Sequence, residues 1–280
     1  MMRIRRSIFV LLCLITVLSF CACGINNSEV KDKFSKYTPD NNVVVVLDSS
    51  EFYFADHTLN LRDLVRDERP NNGYTFWDGK LYFSTSKQNT LNDFSFLVYA
   101  CDLYGNNQKL IFEKQGYKTK PWATGNGGVL YLEYYDTHVL DETARKIDSY
   151  NIFTGEYENV STGKNASLSH YKNDKDGKYS FGVDSDILTI TDSQKNIVYR
   201  IDSEMMNSSN FGEALTDLDY TFYGADVINN DQIYLIYRIK SDDNAYPYFV
   251  CEYIPYNNEI VFKSSVFVND VESICVEIVN

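Results

Sequence analysis

The chain has 280 residues, a formal net charge of -13 and 15% aromatic residues. The acidity excludes a nucleic acid as the expected partner, because binding to phosphates needs a basic surface. It also argues against attachment to anionic lipid through protein charge alone. The aromatic content is far above that of disordered chains, and the length suits one all-β domain of ordinary size after removal of a signal.

The first 22 residues have the layout of a secretory signal. Residues 1–6 are basic, and the run from Ser7 to Phe20 is almost wholly apolar. This run is too short to cross a bilayer comfortably as a helix. We therefore expect residues 1–22 to direct export and then to be removed.

The residues that follow resemble the lipobox of bacterial lipoproteins, in the sequence Phe20-Cys21-Ala22-Cys23-Gly24. In that family a diacylglycerol group is attached to a cysteine thiol, and cleavage occurs just before that cysteine. The resemblance implies lipidation of Cys23, because Ala22 supplies the small residue before the cut. Cys21 is the rival, but Phe20 would then occupy the cleavage point. An ordinary secretory signal or a plain membrane anchor, with incidental cysteines, is the alternative.

The resemblance also implies a cell-membrane location, with acyl chains such as palmitate holding the protein on the extracytoplasmic side. Residues 23–42 are polar and end at Thr38-Pro39-Asp40. We interpret them as a flexible tether, with a short helix over residues 28–36 as an option. Residues 43–280 then form the folded domain.

The folded domain begins with Val43–Leu47, an apolar run without alternation that predicts a strand buried on both faces. Residues 51–55 and 59–65 follow as a pair of strands. Residues 74–114 then read as four strands separated by Asp-Gly and Gly-Asn-Asn turns, which is typical of an antiparallel meander. Similar units start near residues 120, 179 and 220, and two further strands, 265–268 and 273–278, end the chain.

The units recur at intervals of about 45 residues, the size of a propeller blade. We predict an all-β fold, a β-propeller of about five four-stranded blades, or six if residues 43–65 form their own. Pairing of the C-terminal strands with the N-terminal ones would close the ring and cover both open edges. An open stack of sheets or a β-sandwich is the alternative.

Leu81-Tyr82-Phe83-Ser84-Thr85, with the later turn Tyr104-Gly105-Asn106, resembles the blade of YWTD-type propellers. There an aromatic strand is followed by an x-Leu-Asp-Gly turn, although the Trp-Thr-Asp triplet itself is absent from this chain. Bacterial lipoproteins with such degenerate repeats are common. The resemblance covers residues 43 to the end and implies fold more than function.

Cysteines and histidines point to no metal or redox centre, so we expect no cofactor. Cys101 and Cys251 occupy matching places in two units, which predicts buried, unpaired thiols rather than a disulfide. His57, His138 and His170 are isolated and are interpreted as surface residues. Residues 174–177 resemble part of a calcium loop, but Lys172 stands at the first ligand position, so we predict a turn.

Four aspartates near predicted strand starts are the weak candidates for central carboxylates: Asp78, Asp184, Asp186 and Asp226. Five-bladed propellers include glycoside hydrolases, which need two carboxylates about 5–10 Å apart. A carbohydrate-active enzyme is therefore the alternative function. The favoured one is a membrane-anchored, non-catalytic binding or scaffolding propeller for an envelope protein or a glycan, because tyrosines and tryptophans suit such surfaces.

Overall fold

The computed structural model describes residues 27–65, 68–91, 93–115, 125–126, 128–135, 142–164, 166, 179–184, 187–228, 232–241, 246–268 and 271–279. The signal, Cys23, His138, His170 and residues 174–177 lie outside these ranges. Among the described residues, no helix has the length and apolar character needed to span a bilayer.

The described residues form an all-β structure of five small antiparallel sheets, here called A to E. Sheet A contains β1 (Val43–Leu47), β2 (Glu51–Tyr53), β3 (Thr58–Asn60) and β19 (Ile274–Ile278). Sheet B contains β4 (Arg69–Trp77), β5 (Lys80–Thr90), β6 (Asp93–Asp102) and β7 (Lys109–Gln115). Sheet C contains β8 (Gly125–Asn126), β9 (Val129–Tyr135), β10 (Arg145–Asn151) and β11 (Tyr157–Thr162), with a 3-10 helix (Glu142–Ala144) between β9 and β10.

Sheets D and E complete the set. Among the described residues, sheet D contains three strands, β12 (Tyr179–Asp184), β13 (Ile187–Asp192) and β14 (Ile197–Ile201). Sheet E contains β15 (Tyr220–Ile228), β16 (Gln232–Ile239), β17 (Tyr246–Ile254) and β18 (Glu259–Val268). The short helices are α1 (Asn27–Phe34), α2 (Leu61–Leu64), α3 (Ser203–Ser208) and α4 (Gly212–Leu215).

The two ends of the described chain meet in sheet A. Residues Val43 to Leu47 of β1 pair with Ile278 to Ile274 of β19 along the full length of both strands. All five residues of β1 are buried, as the lack of alternation predicts. The predicted pairing of N-terminal and C-terminal strands is therefore confirmed, but only for one C-terminal strand. Residues 265–268 instead extend β18.

The sheets share hydrophobic cores in the order D, E, A, B, C. One core joins sheets D and E, a second joins E and A, a third joins A and B, and a fourth joins B and C. In each sheet one edge strand, here called the first strand, lies against the first strand of a neighbouring sheet. The first strands are β12 in sheet D, β15 in E, β19 in A, β4 in B and β8 in C. β12 contacts β15, β15 contacts β19, and β4 contacts β8. The contact between β19 and β4 runs through the Tyr74 hydroxyl and the Cys275 thiol. Within the described residues, sheets D and C are the two ends of this series.

The turn before the last strand of a sheet is built alike in sheets B, C and D. Asp102 accepts hydrogen bonds from the backbone N–H groups of residues 104 and 106, and Asp192 does the same for residues 194 and 196. Asn151 accepts from residues 153 and 154. Such Asx side chains fix a turn by replacing a backbone acceptor. The repeat read from the sequence thus has a shared physical basis.

Two of these turns also carry an aromatic residue that reaches the preceding sheet. Tyr104 of sheet B stacks on His57 of sheet A, with ring centroids 4.2 Å apart. Phe153 of sheet C packs edge-on against Trp77 of sheet B at 5.4 Å. The Phe153 ring also covers Gly128, where an added Cβ would lie 2.4 Å from it. Equivalent turn positions therefore join neighbouring sheets.

The stretch predicted to be a flexible tether is folded from Asn27 onward. The optional helix is present as α1, and its Val30 and Phe34 are fully or almost fully buried against sheet E. Phe34 stacks on Phe249 at 5.4 Å, while the Asp40 backbone N–H donates to the Lys263 carbonyl at 2.8 Å. Apolar residues spaced four apart on a helix share one face, which explains this burial. Residues 27–42 therefore belong to the folded domain, and the prediction of a flexible tether is wrong for them.

The predicted strand over residues 59–65 is wrong beyond residue 60. The Asn60 side chain accepts a hydrogen bond from the Arg62 backbone N–H and starts α2. Asparagine is a strong helix-capping residue, and the alternation of Leu59, Leu61 and Val65 concealed it. Leu61 is buried in the core between sheets A and B.

The docking of residues 27–42 should depend on pH through Asp40 and Lys263, whose charged groups lie 3.0 Å apart. Burial raises the pKa of Asp40, but hydrogen bonds from Asn42 and Lys263 leave it below 3.8. Burial lowers the pKa of Lys263, but Glu252 and Asp40 leave it above 10.5. Because folding lowers the pKa of Asp40, the Asp40 carboxylate stabilises the folded state above pH 3.8. Because folding raises the pKa of Lys263, the Lys263 ammonium stabilises the folded state below pH 10.5.

We therefore expect wild-type protein to exceed an Asp40→Asn variant in unfolding free energy by about 1 kcal/mol at neutral pH. The difference should disappear as the pH falls through the folded pKa of Asp40, below 3.8. Urea unfolding of both proteins across pH measures it. A difference that persists in acid would show that Asp40 does not act through its charge.

Candidate functional site

A large cavity lies between sheets D and E, beside α3 and α4. Its volume is about 890 Å³. The floor is apolar and includes Leu188, Leu215 and Tyr237, while the rim is polar. Concave sites of about 300–1,000 Å³ with a few polar groups on an apolar lining are typical of ligand sites. This cavity is the candidate binding site.

The charge of the cavity lining has one sign. Asp202, Glu213, Asp217 and Asp219 line it, and the described lining contains no lysine, arginine or histidine. Three cations contact lining residues from outside: Lys36 contacts Glu213 at 3.4 Å, Lys240 contacts Asp219 at 3.3 Å, and the Lys33 ammonium donates to the Thr216 carbonyl at 2.6 Å. The two ion pairs are exposed and therefore weak. The lining favours a neutral or cationic ligand over an anionic one.

Two helices that sequence reasoning missed form one wall of this cavity. The Asp202 side chain accepts a hydrogen bond from the Met205 backbone N–H and caps α3. Met206, Phe211 and Leu215 bury their side chains in the core between sheets D and E. An aspartate followed by Ser-Glu is a helix-start signal, and it was available in the sequence.

The candidate central carboxylates do not share one environment. Asp78 lies in the exposed turn between β4 and β5 with φ of 50°, and Asp184 is the exposed last residue of β12. Asp226 lies within β15 and accepts a hydrogen bond from the Val276 backbone N–H at 2.7 Å. Asp186 lies outside the described residues. Of the three aspartates that the structure describes, only Asp226 lies between two sheets, where it joins β15 of sheet E to β19 of sheet A.

The sequence did not predict the groups that surround Asp226. The Tyr74 hydroxyl of β4 donates to Glu277 Oε1 at 3.4 Å and lies 3.3 Å from Cys275 Sγ, both on β19. Burial raises the pKa of the Tyr74 hydroxyl well above its usual value, and the nearby charges of Glu277 and Asp226 raise it further. Tyr74 therefore stays protonated and joins the first strands of sheets A and B. In the described part of the chain, no three His, Cys, Asp or Glu side chains are grouped to hold a metal ion.

A second cavity, of about 380 Å³, lies between β7 of sheet B and strands β9 to β11 of sheet C. Asp148 is almost fully buried there and accepts hydrogen bonds from Lys114, Tyr134 and Asn159. The Lys114 ammonium also lies 4.6 Å from the centre of the Tyr134 ring and 5.1 Å from that of Tyr157. Burial raises the pKa of Tyr134 to about 12, so Tyr134 acts as a neutral donor. The arrangement is an ion pair joining two sheets.

His57 is more constrained than the predicted surface histidine. Its ring lies between Phe54 and Tyr104, with centroids 4.3 Å and 4.2 Å away. Nδ1 contacts Asp56 Oδ1 at 2.6 Å, and Nε2 contacts the Leu103 carbonyl at 2.9 Å. Because both ring nitrogens face acceptors, the contacts fix the ring orientation and join sheets A and B.

The prediction of buried, unpaired thiols is confirmed for Cys101 and Cys251, whereas Cys275 is only partly buried. Burial, followed by the charge of Asp102, raises the pKa of Cys101 to about 12. Burial also raises the pKa of Cys251. In protein comprising residues 24–280, we expect Cys275 to react with an aromatic disulfide reagent on the order of ten times faster than the other two. Equal rates for all three thiols would contradict this packing.

Solved structures similar to this chain include two with low TM-scores. No protein-family model and no curated protein matches the chain. It is similar to an α-L-arabinofuranosidase, CtGH43, from Clostridium thermocellum ATCC 27405, with a TM-score of 0.25 and 12% identity over 73% of this chain and 72% of that chain. A eukaryotic initiation factor gives a TM-score of 0.18 and 11% identity over 82% of this chain and 52% of that chain. At these scores neither likeness carries an argument about fold or function.

Proposed function

We propose that the protein is a lipid-anchored, non-catalytic binding module of the cell envelope, built as a five-bladed propeller. Cys23 carries the lipid, and the domain faces the extracytoplasmic side of the membrane. The shared cores in the order D, E, A, B, C, with first strands in contact, support a radial arrangement. Contact between sheets C and D would close the ring.

The observation that carries the binding proposal is the cavity of about 890 Å³ beside α3 and α4. Its apolar floor supplies contact area, and its polar rim supplies groups that fix the orientation of a ligand. The lack of cations in its described lining favours a neutral glycan or a basic protein segment over an anionic ligand. The ligand is a protein or a glycan of the envelope.

A cavity-filling variant tests this proposal. Thr221 is exposed on β15 and lines the cavity, so Thr221→Trp should fill it without disturbing the core. Thr58 is exposed on β3 of sheet A, so Thr58→Trp is the matched control. Each lipid-free protein, residues 24–280, is used to capture partners from the organism's own envelope and is applied to a glycan array.

We expect wild type and Thr58→Trp to retain the same ligand and Thr221→Trp to lose it at least tenfold. Equal retention by all three proteins would place the binding site elsewhere. Release of free sugar from an envelope polymer would instead establish the carbohydrate-active alternative and contradict a non-catalytic role.

A further inference from the structure

The N-terminal helix is a fixed part of the domain surface. Val30 is fully buried, and the Phe34 ring packs on Phe249 at 5.4 Å and on Phe262 at 5.7 Å. The Lys263 ammonium holds the following segment through Asp40 at 3.0 Å. Because an aromatic core and an ion pair both retain this segment, the position of Asn27 is fixed relative to sheet E.

Few residues separate this fixed point from the predicted lipid attachment. Only residues 24–26 lie between Cys23 and Asn27. A fully extended chain advances at most about 3.6 Å per residue, so Cys23 lies within about 14 Å of Asn27. A lipidated Cys23 lies at the bilayer surface, and the Asn27 end of α1 must therefore lie close to it.

The same helix leads directly to the candidate binding site. The Lys33 ammonium donates to the Thr216 carbonyl at 2.6 Å, and Lys36 contacts Glu213 at 3.4 Å. Thr216 and Glu213 both line the large cavity. A helix rises about 1.5 Å per residue, so the route from Cys23 along α1 to the cavity rim spans on the order of 30 Å at most.

We propose that the α1 side of the domain is its membrane-facing surface and that its partner is the lipid bilayer. The anchor then holds the rim of the large cavity within about 30 Å of the bilayer surface. The cavity accordingly serves ligands presented at the membrane rather than far out in the envelope. This inference rests on the proposed lipidation of Cys23 and specifies where the proposed binding site works.

Energy transfer to labelled lipid tests the inference. A donor dye is attached through Glu213→Cys in a Cys275→Ser background, because Cys101 and Cys251 are buried. The lipidated full-length product is reconstituted into phosphatidylcholine vesicles that contain an acceptor-labelled lipid. The matched variant carries 20 additional Gly/Ser residues between Gly24 and Ile25, which add about 25 Å of mean reach. Mass spectrometry of each protein establishes whether Cys23 is acylated.

We expect efficient energy transfer in the lipidated protein without the insertion. The lipidated protein with the insertion should lose about twofold or more of the transfer efficiency. Equal transfer from both acylated proteins would overturn the membrane-facing surface while leaving lipidation intact. A mature protein without acyl mass on Cys23 would overturn the lipidation itself, and the inference with it. The cavity-filling variant tests ligand binding separately from both.

Discussion

A chain that ends at residue 272, and so lacks β19, should fail to fold. β1 lies between β19 and β2 in sheet A, and all five of its residues are buried. Removing β19 takes away its hydrogen-bonding partner and the buried side chains of Val276 and Val279. Each fully buried aliphatic side chain contributes about 1.5–3 kcal/mol, and whole domains are stable by only about 5–15 kcal/mol. The loss is comparable with the total stability.

Circular dichroism and solubility of the truncated protein measure this effect. The exposed edge of β1, with its sequence Val43-Val44-Val45-Val46-Leu47, should also promote aggregation. A synthetic peptide of residues 271–280, added during refolding, should restore the fold, because an extended peptide can complete a sheet with a missing strand. A soluble truncated protein with unchanged thermal stability would contradict the role of β19.

The variant Lys114→Met should destabilise the protein by about 3–5 kcal/mol, because it leaves the buried Asp148 carboxylate without its cation. Asp148 is 1% exposed, whereas the side chain of Lys114 is 30% exposed. Burial lowers the pKa of Lys114, but hydrogen bonds to Asp148 and Tyr134 raise it above 10.5, so Lys114 is a cation at neutral pH. Replacing both residues, as Lys114→Met with Asp148→Leu, should recover much of the loss.

An exposed ion pair provides the control. Lys240 and Asp219 lie 3.3 Å apart with side chains 77% and 67% exposed. Lys240→Met should cost less than about 1 kcal/mol in urea unfolding. If Lys114→Met and Lys240→Met cost the same, Asp148 is not buried between two sheets as described.

Much of the fold could be predicted because turn chemistry and alternation are local properties. The Asp78-Gly79 turn and the turn after Asp102 separate the strands of sheet B, and each has the residues its backbone needs. The burial of β1 on both faces follows from five consecutive apolar residues. Cys101 and Cys251 could be placed because they occupy equivalent positions on β6 and β17.

The remaining features of the fold and the candidate site depend on which surfaces pack together. No local sequence pattern determines that packing. Lys114 and Asp148 each look like solvated charges in their own strands, and their burial becomes visible only when sheets B and C are packed together. Tyr74 and Glu277 are 203 residues apart in sequence and meet only because β19 returns to β1. The polar composition of residues 27–42 suggested a flexible segment, whereas the buried side chains of Val30 and Phe34 dock it on sheet E.

The proposed arrangement depends most on contact between sheets C and D, which would close the ring. Spin labels at exposed Tyr157 on β11 and exposed Ile197 on β14 allow this contact to be measured by pulsed electron resonance. Sheets that pack face to face lie about 10 Å apart, so a closed ring predicts one narrow distribution at roughly 20–30 Å. A broad distribution, or one centred far beyond that range, would contradict the closed propeller.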